Sequence, residues 1–175
     1  VTEAIATVYR GISMRSKLEA DWASTLDHYA ITWRYEPYLI QLETGELYLP
    51  DFWLPDLRTF IEVKGMGIGR TEKTMELARE QPRGVIVLFG FAPARREVTP
   101  ALWDSFLQWR DAAGYDARFT VCGNCATWQW TRPQLTKRCR VCRAALDGLL
   151  ASCGELPFTH AQPDHVTLMG EQRCP

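Results

Sequence analysis

Apolar and polar positions change period several times along the chain, and each change marks an element. From Lys17 to Tyr29, the residues Leu18, Trp22, Leu26 and Tyr29 form one apolar stripe at helical spacing. Ser16 stands before the stripe and Glu19 three residues later, the pair of a capping box, so a helix is predicted over about 17–29. Ahead of it, Val8-Tyr9-Arg10-Gly11-Ile12 reads as a short strand or an extended lead-in. From Ile31 to Leu42 the chain is rich in β-branched and aromatic residues, and Pro37 marks this strand as an edge or as bulged. Glu43-Thr44-Gly45-Glu46 is a turn, and Leu47 to Phe52 returns from it. Thr71 is placed to cap a helix from Glu72 to about Gln81, which Pro82 stops. Val85-Ile86-Val87-Leu88-Phe89 reads as a fully buried strand. Pro93 to Pro100 is a loop with Arg95 and Arg96. Leu102, Phe106, Leu107 and Trp109 suggest a further helix over 101–113, closed by Gly114.

The stretch from Tyr48 to Gly65 organises the rest. It reads as a strand end, a short turn and a second strand. With a period of two, Ile61 and Val63 face one way, and Phe60, Glu62 and Lys64 the other. An isolated Glu-x-Lys is most simply a solvated surface pair. Asp51 changes that balance, because it ends the preceding apolar run eleven residues before Glu62. A tight connection brings it beside the pair, and two carboxylates with a neighbouring ammonium suit Mg²⁺.

Pro50-Asp51 followed by Glu62-Val63-Lys64 resembles the PD-(D/E)xK nuclease signature. The helix bearing Glu19, the hairpin before Asp51, and the helix and apolar strand after Lys64 follow the family's order. The resemblance covers roughly residues 10–90, and Met14–Leu26 with the Tyr35–Asp51 hairpin looks like a phage and mobile-element branch. It implies an α/β fold: a restriction-endonuclease-like αβββαβ core with a mixed sheet. It also implies Asp51 and Glu62 as ligands of Mg²⁺ or Mn²⁺, with the Val63 carbonyl as a further ligand. Lys64 would stand beside the attacking water or the phosphate, and Glu19 would ligate or orient from the helix. Glu19 has an equally good reading as the capping residue alone.

Cys122-Gly-Asn-Cys125 and Cys139-Arg-Val-Cys142 form a second motif. Two C-x₂-C knuckles at this separation place four thiolates around one tetrahedral ion, and a module this short has too little core to fold unaided. It resembles a zinc ribbon, with structural Zn²⁺ as the favoured occupant and an iron–sulfur cluster as the rival. Trp128 and Trp130 are expected to cover one side of the site. Cys153 and Cys174 belong to neither knuckle, and with His160 and His165 they match no metal spacing, so they read as free thiols and histidines of a tail. The expected division is a nuclease core over 1–116, a ribbon over 117–152 and a tail over 153–175.

Charge sharpens this division. The chain has a formal net charge of −1, yet residues 117–143 carry six basic residues and no acid. Arg132, Lys137, Arg138, Arg140 and Arg143 are therefore candidate phosphate contacts, ordinary surface patterning being the alternative. Gly65-Met66-Gly67-Ile68-Gly69 lacks the full dinucleotide fingerprint and reads as a loop against a backbone or a plain connection. With 175 residues, 46% of them hydrophobic, the chain is long enough for one sizeable core and a small appendage. No apolar run is long enough to span a bilayer and no secretory leader is read, so a cytoplasmic setting is expected. The expected activity is metal-dependent cleavage of duplex or branched DNA, by an endonuclease acting alone, as a homodimer or with a recombination partner. The alternative is a non-catalytic or partner-dependent DNA-binding subunit of a recombination or transposition complex.

Overall fold

The computed structural model describes residues 4–65, 72–80, 85–89, 107–109, 118–131, 138–146 and 161. Two strands come first, β1 (Thr7–Tyr9) and β2 (Ile12–Met14), paired as a hairpin with Tyr9 opposite Ile12. The single strand or lead-in expected over Val8–Ile12 is thus broken in two. Arg10 and Gly11 both adopt positive φ, at 50° and 76°, the conformation a two-residue hairpin turn demands.

Helix α1 (Lys17–His28) follows, capped as its sequence implies. The Ser16 hydroxyl accepts the Glu19 N–H at 3.2 Å. Trp22, Leu26 and Tyr29 are buried, and Leu18 packs against their cluster half-buried.

Strands β3 (Arg34–Tyr35), β4 (Ile40–Gln41), β5 (Leu47–Tyr48) and β6 (Phe52–Leu54) replace the simple hairpin read between Ile31 and Phe52. β4 pairs with β5 around the Glu43–Glu46 turn, while β3 pairs with β6. Leu49, Pro50 and Asp51 separate the two halves of the returning limb. Pro50 has no N–H for a ladder, and the Asp51 carbonyl takes the Glu36 N–H at 2.8 Å instead.

β7 (Thr59–Lys64) is the centre of a five-stranded sheet of order β3-β6-β7-β8-β9, with β8 (Val85–Phe89) and β9 (Leu107–Trp109). β7 and β8 run parallel; the other neighbours are antiparallel. A parallel pair needs a crossover, and helix α2 (Glu72–Glu80) lies on it.

Alternation along β7 sorts the core. Ile61, with Phe52 and Leu54 of β6, packs against Trp22, Ala23 and Leu26 of α1. Phe60 packs on the other face with Leu77 and Ala78 of α2, and with Leu42, Tyr48 and Val85. Both faces of the central strand are therefore covered, which is why Glu62 is buried rather than solvated.

The helix expected over 101–113 is corrected by β9. Residues 107–109 pair antiparallel with β8, Leu88 opposite Leu107. The local apolar spacing fits a helix, but the open edge of β8 offers three residues a ladder that helical spacing does not register. The rest of that span, Thr71, Arg95, Arg96, and the glycine loop beyond Gly65 lie outside the described residues.

Strands β10 (Arg118–Val121) and β11 (Trp128–Thr131) form a hairpin whose connection carries Cys122 and Cys125. The fold is thus a mixed α/β arrangement with small antiparallel sheets and a cluster of four cysteines. Among the described residues no helix is long and apolar enough to cross a membrane.

Candidate metal centres

The two cysteine knuckles have the same backbone plan. Cys122 N–H reaches the Thr127 carbonyl at 3.0 Å, and Cys139 N–H reaches the Ala144 carbonyl at 2.8 Å. Ala126 N–H returns to the Cys122 carbonyl, as Arg143 N–H does to that of Cys139. Ala126 and Arg143 both adopt positive φ, at 55° and 67°, and so close each knuckle tightly. The four Sγ atoms all lie within 4.8 Å of one another, with Cys122–Cys142 and Cys125–Cys139 both at 3.7 Å. Four thiolates at about 2.3 Å from a tetrahedral ion stand about 3.8 Å apart, so the spacing fits a single ion such as zinc. A multi-iron cluster would hold the thiolates further apart. No disulfide joins these four.

Nearby donors favour the thiolate at Cys139 and Cys142, whereas at Cys122 the N–H groups of Cys125 and Asn124 are outweighed by burial and by the Cys125 and Cys142 thiols, which push it up to about 11. Burial pushes Cys139 up, but the N–H groups of Cys142 and Val141 and the Gln129 amide outweigh it and bring the thiol down to about 6. The Ala144 N–H and the Asn124 amide lower Cys142.

The tryptophans do not cover this site as expected. Alternation along β11 sends Trp128 and Trp130 towards α1, where Trp128 meets the Tyr29 ring at 4.9 Å and Trp130 joins the main core. Gln129, between them, faces the cysteines. Its Nε2 donates to Cys139 Sγ at 3.2 Å, and its Oε1 accepts the Arg140 N–H at 3.0 Å. The module is thereby seated on the core. Ala161, the one described residue of the tail span, also docks there, its N–H donating to the buried Asp21 carboxylate at 2.9 Å.

The candidate basic contacts divide. Arg138 and Arg143 are exposed. Arg140 is half-buried, and its guanidinium donates to Thr59 Oγ at 2.7 Å, at the start of β7. Arg132 and Lys137 lie outside the described residues, as do Cys153, Cys174, His160 and His165.

The second site lies where β6 and β7 meet α1. Asp51, just before β6, is anchored by its Oδ2, which accepts the Val63 N–H at 2.7 Å. Residues 62 and 64 flank that N–H on one strand face. Lys64 Nζ donates to Glu62 Oε1, and Tyr48 donates its hydroxyl proton to Glu62 Oε2. Thr74 of α2 lies 2.9 Å from the Tyr48 oxygen and completes this chain. From the other side, Glu19 Oε2 accepts the Tyr35 hydroxyl at 2.6 Å, while Oε1 accepts that of Ser16 at 2.9 Å. The capping residue thus also turns an oxygen towards Asp51's surroundings.

These acids feel one another. Burial first, then the charge of Glu62, push Asp51 up to about 8, against the pull of the Val63 N–H; Glu19 adds to the push and Arg15 opposes it. Among the described residues, only the four cysteines bring three or more metal-type ligand atoms within 4.8 Å of one another, so the three acids stand wider than that.

Sequence reasoning missed Arg15, Glu36, Tyr35 and Tyr48 at this site. Arg15 stands next to the N-cap and four residues before Glu19, where a side chain can reach back over the helix start, and that position was its only signal. Comparisons of the chain with protein families, with curated proteins and with solved structures find no match to any of them.

Proposed function

We propose that the chain is a divalent-metal-dependent deoxyribonuclease of the PD-(D/E)xK type, an endonuclease, with a structural zinc in its cysteine module. The observation that carries this reading is the fixing of Asp51 on the Val63 N–H, between Glu62 and Lys64. The antiparallel β6–β7 pair followed by the parallel β7–β8 pair, with α1 and α2 on opposite faces, supports a restriction-endonuclease-like core.

Asp51 and Glu62 would hold Mg²⁺ or Mn²⁺ with the Val63 carbonyl, and Glu19 would orient or extend that set. The bound ion would polarise the phosphate and favour hydroxide at neutral pH. Burial first, then the charge of Glu62, raise the proton affinity of Asp51, and a divalent cation there would offset both. Lys64 supplies an ammonium beside Glu62, placed to stabilise charge growing on a phosphate or on an attacking water. Tyr48 and Thr74 hold Glu62 in one orientation. Arg138 and Arg143, exposed on the module, give it cations for the DNA backbone.

The test is incubation of the purified chain with plasmid, linear duplex, single strand and a four-way junction, with and without Mg²⁺. Cleavage of at least one substrate, dependent on the ion and lost in Asp51→Asn and Glu62→Gln, is expected. Binding without cleavage of any of them would favour the DNA-binding subunit.

A further inference from the structure

Asp51 is the most deeply set acid of the site, yet both its oxygens have partners. Oδ2 takes the Val63 N–H, and Oδ1 is met by Nη2 of Arg15. The same guanidinium turns Nε to Glu36 Oε1 at 2.8 Å. The backbone N–H of Arg15 points to Glu19 Oε2 at 3.2 Å and to the Tyr35 oxygen at 3.0 Å. One residue therefore touches three acids around the site.

The exposures give the direction of approach. The Arg15 side chain is 58% exposed, and that of Asp51 is 4% exposed. The cation reaches Asp51 from the solvent side, the side from which a metal ion would enter. Its backbone lies between buried Met14 and the N-cap Ser16, while its long side chain runs along the surface to the two carboxylates it meets.

A guanidinium and a divalent ion on one carboxylate oxygen repel each other and compete for the same lone pairs. We infer that Arg15 is a built-in stand-in for the metal, which holds Asp51 until the ion arrives and is then kept by Glu36 at the mouth of the site as a positioning cation for the scissile phosphate. This rests on the nuclease reading.

The experiment is Mn²⁺ binding to the zinc-loaded full chain by calorimetry, with cleavage measured in parallel at saturating Mn²⁺. Hard oxygen ligands take Mn²⁺ while the thiolates keep zinc. Arg15→Gln should bind Mn²⁺ about fivefold more tightly, as loss of a competing ion pair of about 1 kcal/mol implies. Its cleavage rate at saturation should fall at least about tenfold, a split that mere loosening of the site does not produce. Arg15→Lys, whose single ammonium spans Asp51 and Glu36 less well, should bind about twofold more tightly and serves if the glutamine variant does not fold. A folded variant that binds no more tightly, or that cleaves at the wild-type rate, overturns the inference. Wild-type protein whose Mn²⁺ uptake matches that of Asp51→Asn sinks the nuclease reading itself, and this inference with it.

Discussion

Asp51 shows how much one carboxylate can change when a strand pair closes over it. Burial and Glu62 raise its proton affinity from 3.8 to about 8, against the opposing pull of the Val63 N–H and the Arg15 guanidinium. A group raised in this way stabilises the fold fully below about pH 4, and that contribution is lost as pH rises through about 8. Without added divalent ion, the zinc-loaded protein should therefore melt at a lower temperature at pH 8.5 than at pH 6. Millimolar Mg²⁺ should recover the stability lost at pH 8.5 and so narrow the difference. Asp51→Asn should flatten this dependence and raise the Mg²⁺-free melting temperature at pH 8.5 by about 2–4 °C, the effect of about 1 kcal/mol in a chain this size. Thermal melts of both proteins across the pH range check this; an Asp51→Asn curve parallel to wild type would refute the assignment of the pH dependence to Asp51. Ser16 supports the same site through Glu19, and Ser16→Ala should cost about 1 kcal/mol of stability, read from denaturant unfolding.

At the scale of elements, the sequence was legible where a pattern is local. The α1 stripe and its cap, the alternation of β7, α2 and the two cysteine knuckles can each be read from the residues of the element itself. β9 is not legible, because its partner β8 lies some twenty residues away and nothing within 101–113 announces the pairing. The destination of Trp128 and Trp130 was hidden for a similar reason. Alternation separates them from Gln129, but only the seat of β11 on α1 tells which face meets the cysteines. At the acid site, the meeting of Asp51 with Glu62 and Lys64 was readable from spacing and the place of Glu19 only from the resemblance, while Arg15 and Glu36 meet only once β3 and β6 pair. The module's arginines divide in the same way and can be separated by experiment. Arg138→Gln with Arg143→Gln should weaken binding to a labelled duplex and reduce the slope of log affinity against log salt by about 1–2. Arg140→Gln should leave that slope unchanged and lower stability by about 1 kcal/mol, because its guanidinium is bonded to Thr59. An unchanged slope in the double variant would move the module towards a protein-binding role.

Over the whole molecule, the cysteine module and the core share one buried cluster, through Trp130 against α1, and Ala161 of the tail span joins it. A metal held by the cysteines would therefore be coupled to the stability of the part of the chain that carries the acids. Removing the metal with a chelator should release about one ion per chain and lower the melting temperature of the whole protein, with loss of the Trp128 and Trp130 packing seen in near-ultraviolet dichroism. A core that melts unchanged after metal loss would show the two parts to be energetically separate.

We propose that Asp51, just before β6, and Glu62 on β7 make a phosphodiester-cleaving metal site. Its most direct measurement is the rate of strand cleavage by zinc-loaded wild type, Asp51→Asn and Glu62→Gln, on the best of the four DNA substrates, over a Mg²⁺ titration. The expected result is cleavage that saturates with Mg²⁺ in wild type and falls by at least about a thousandfold in each variant, while both retain the fold and the zinc. Cleavage by either folded variant at the wild-type rate, or no Mg²⁺-dependent cleavage of any substrate by wild type, would contradict it.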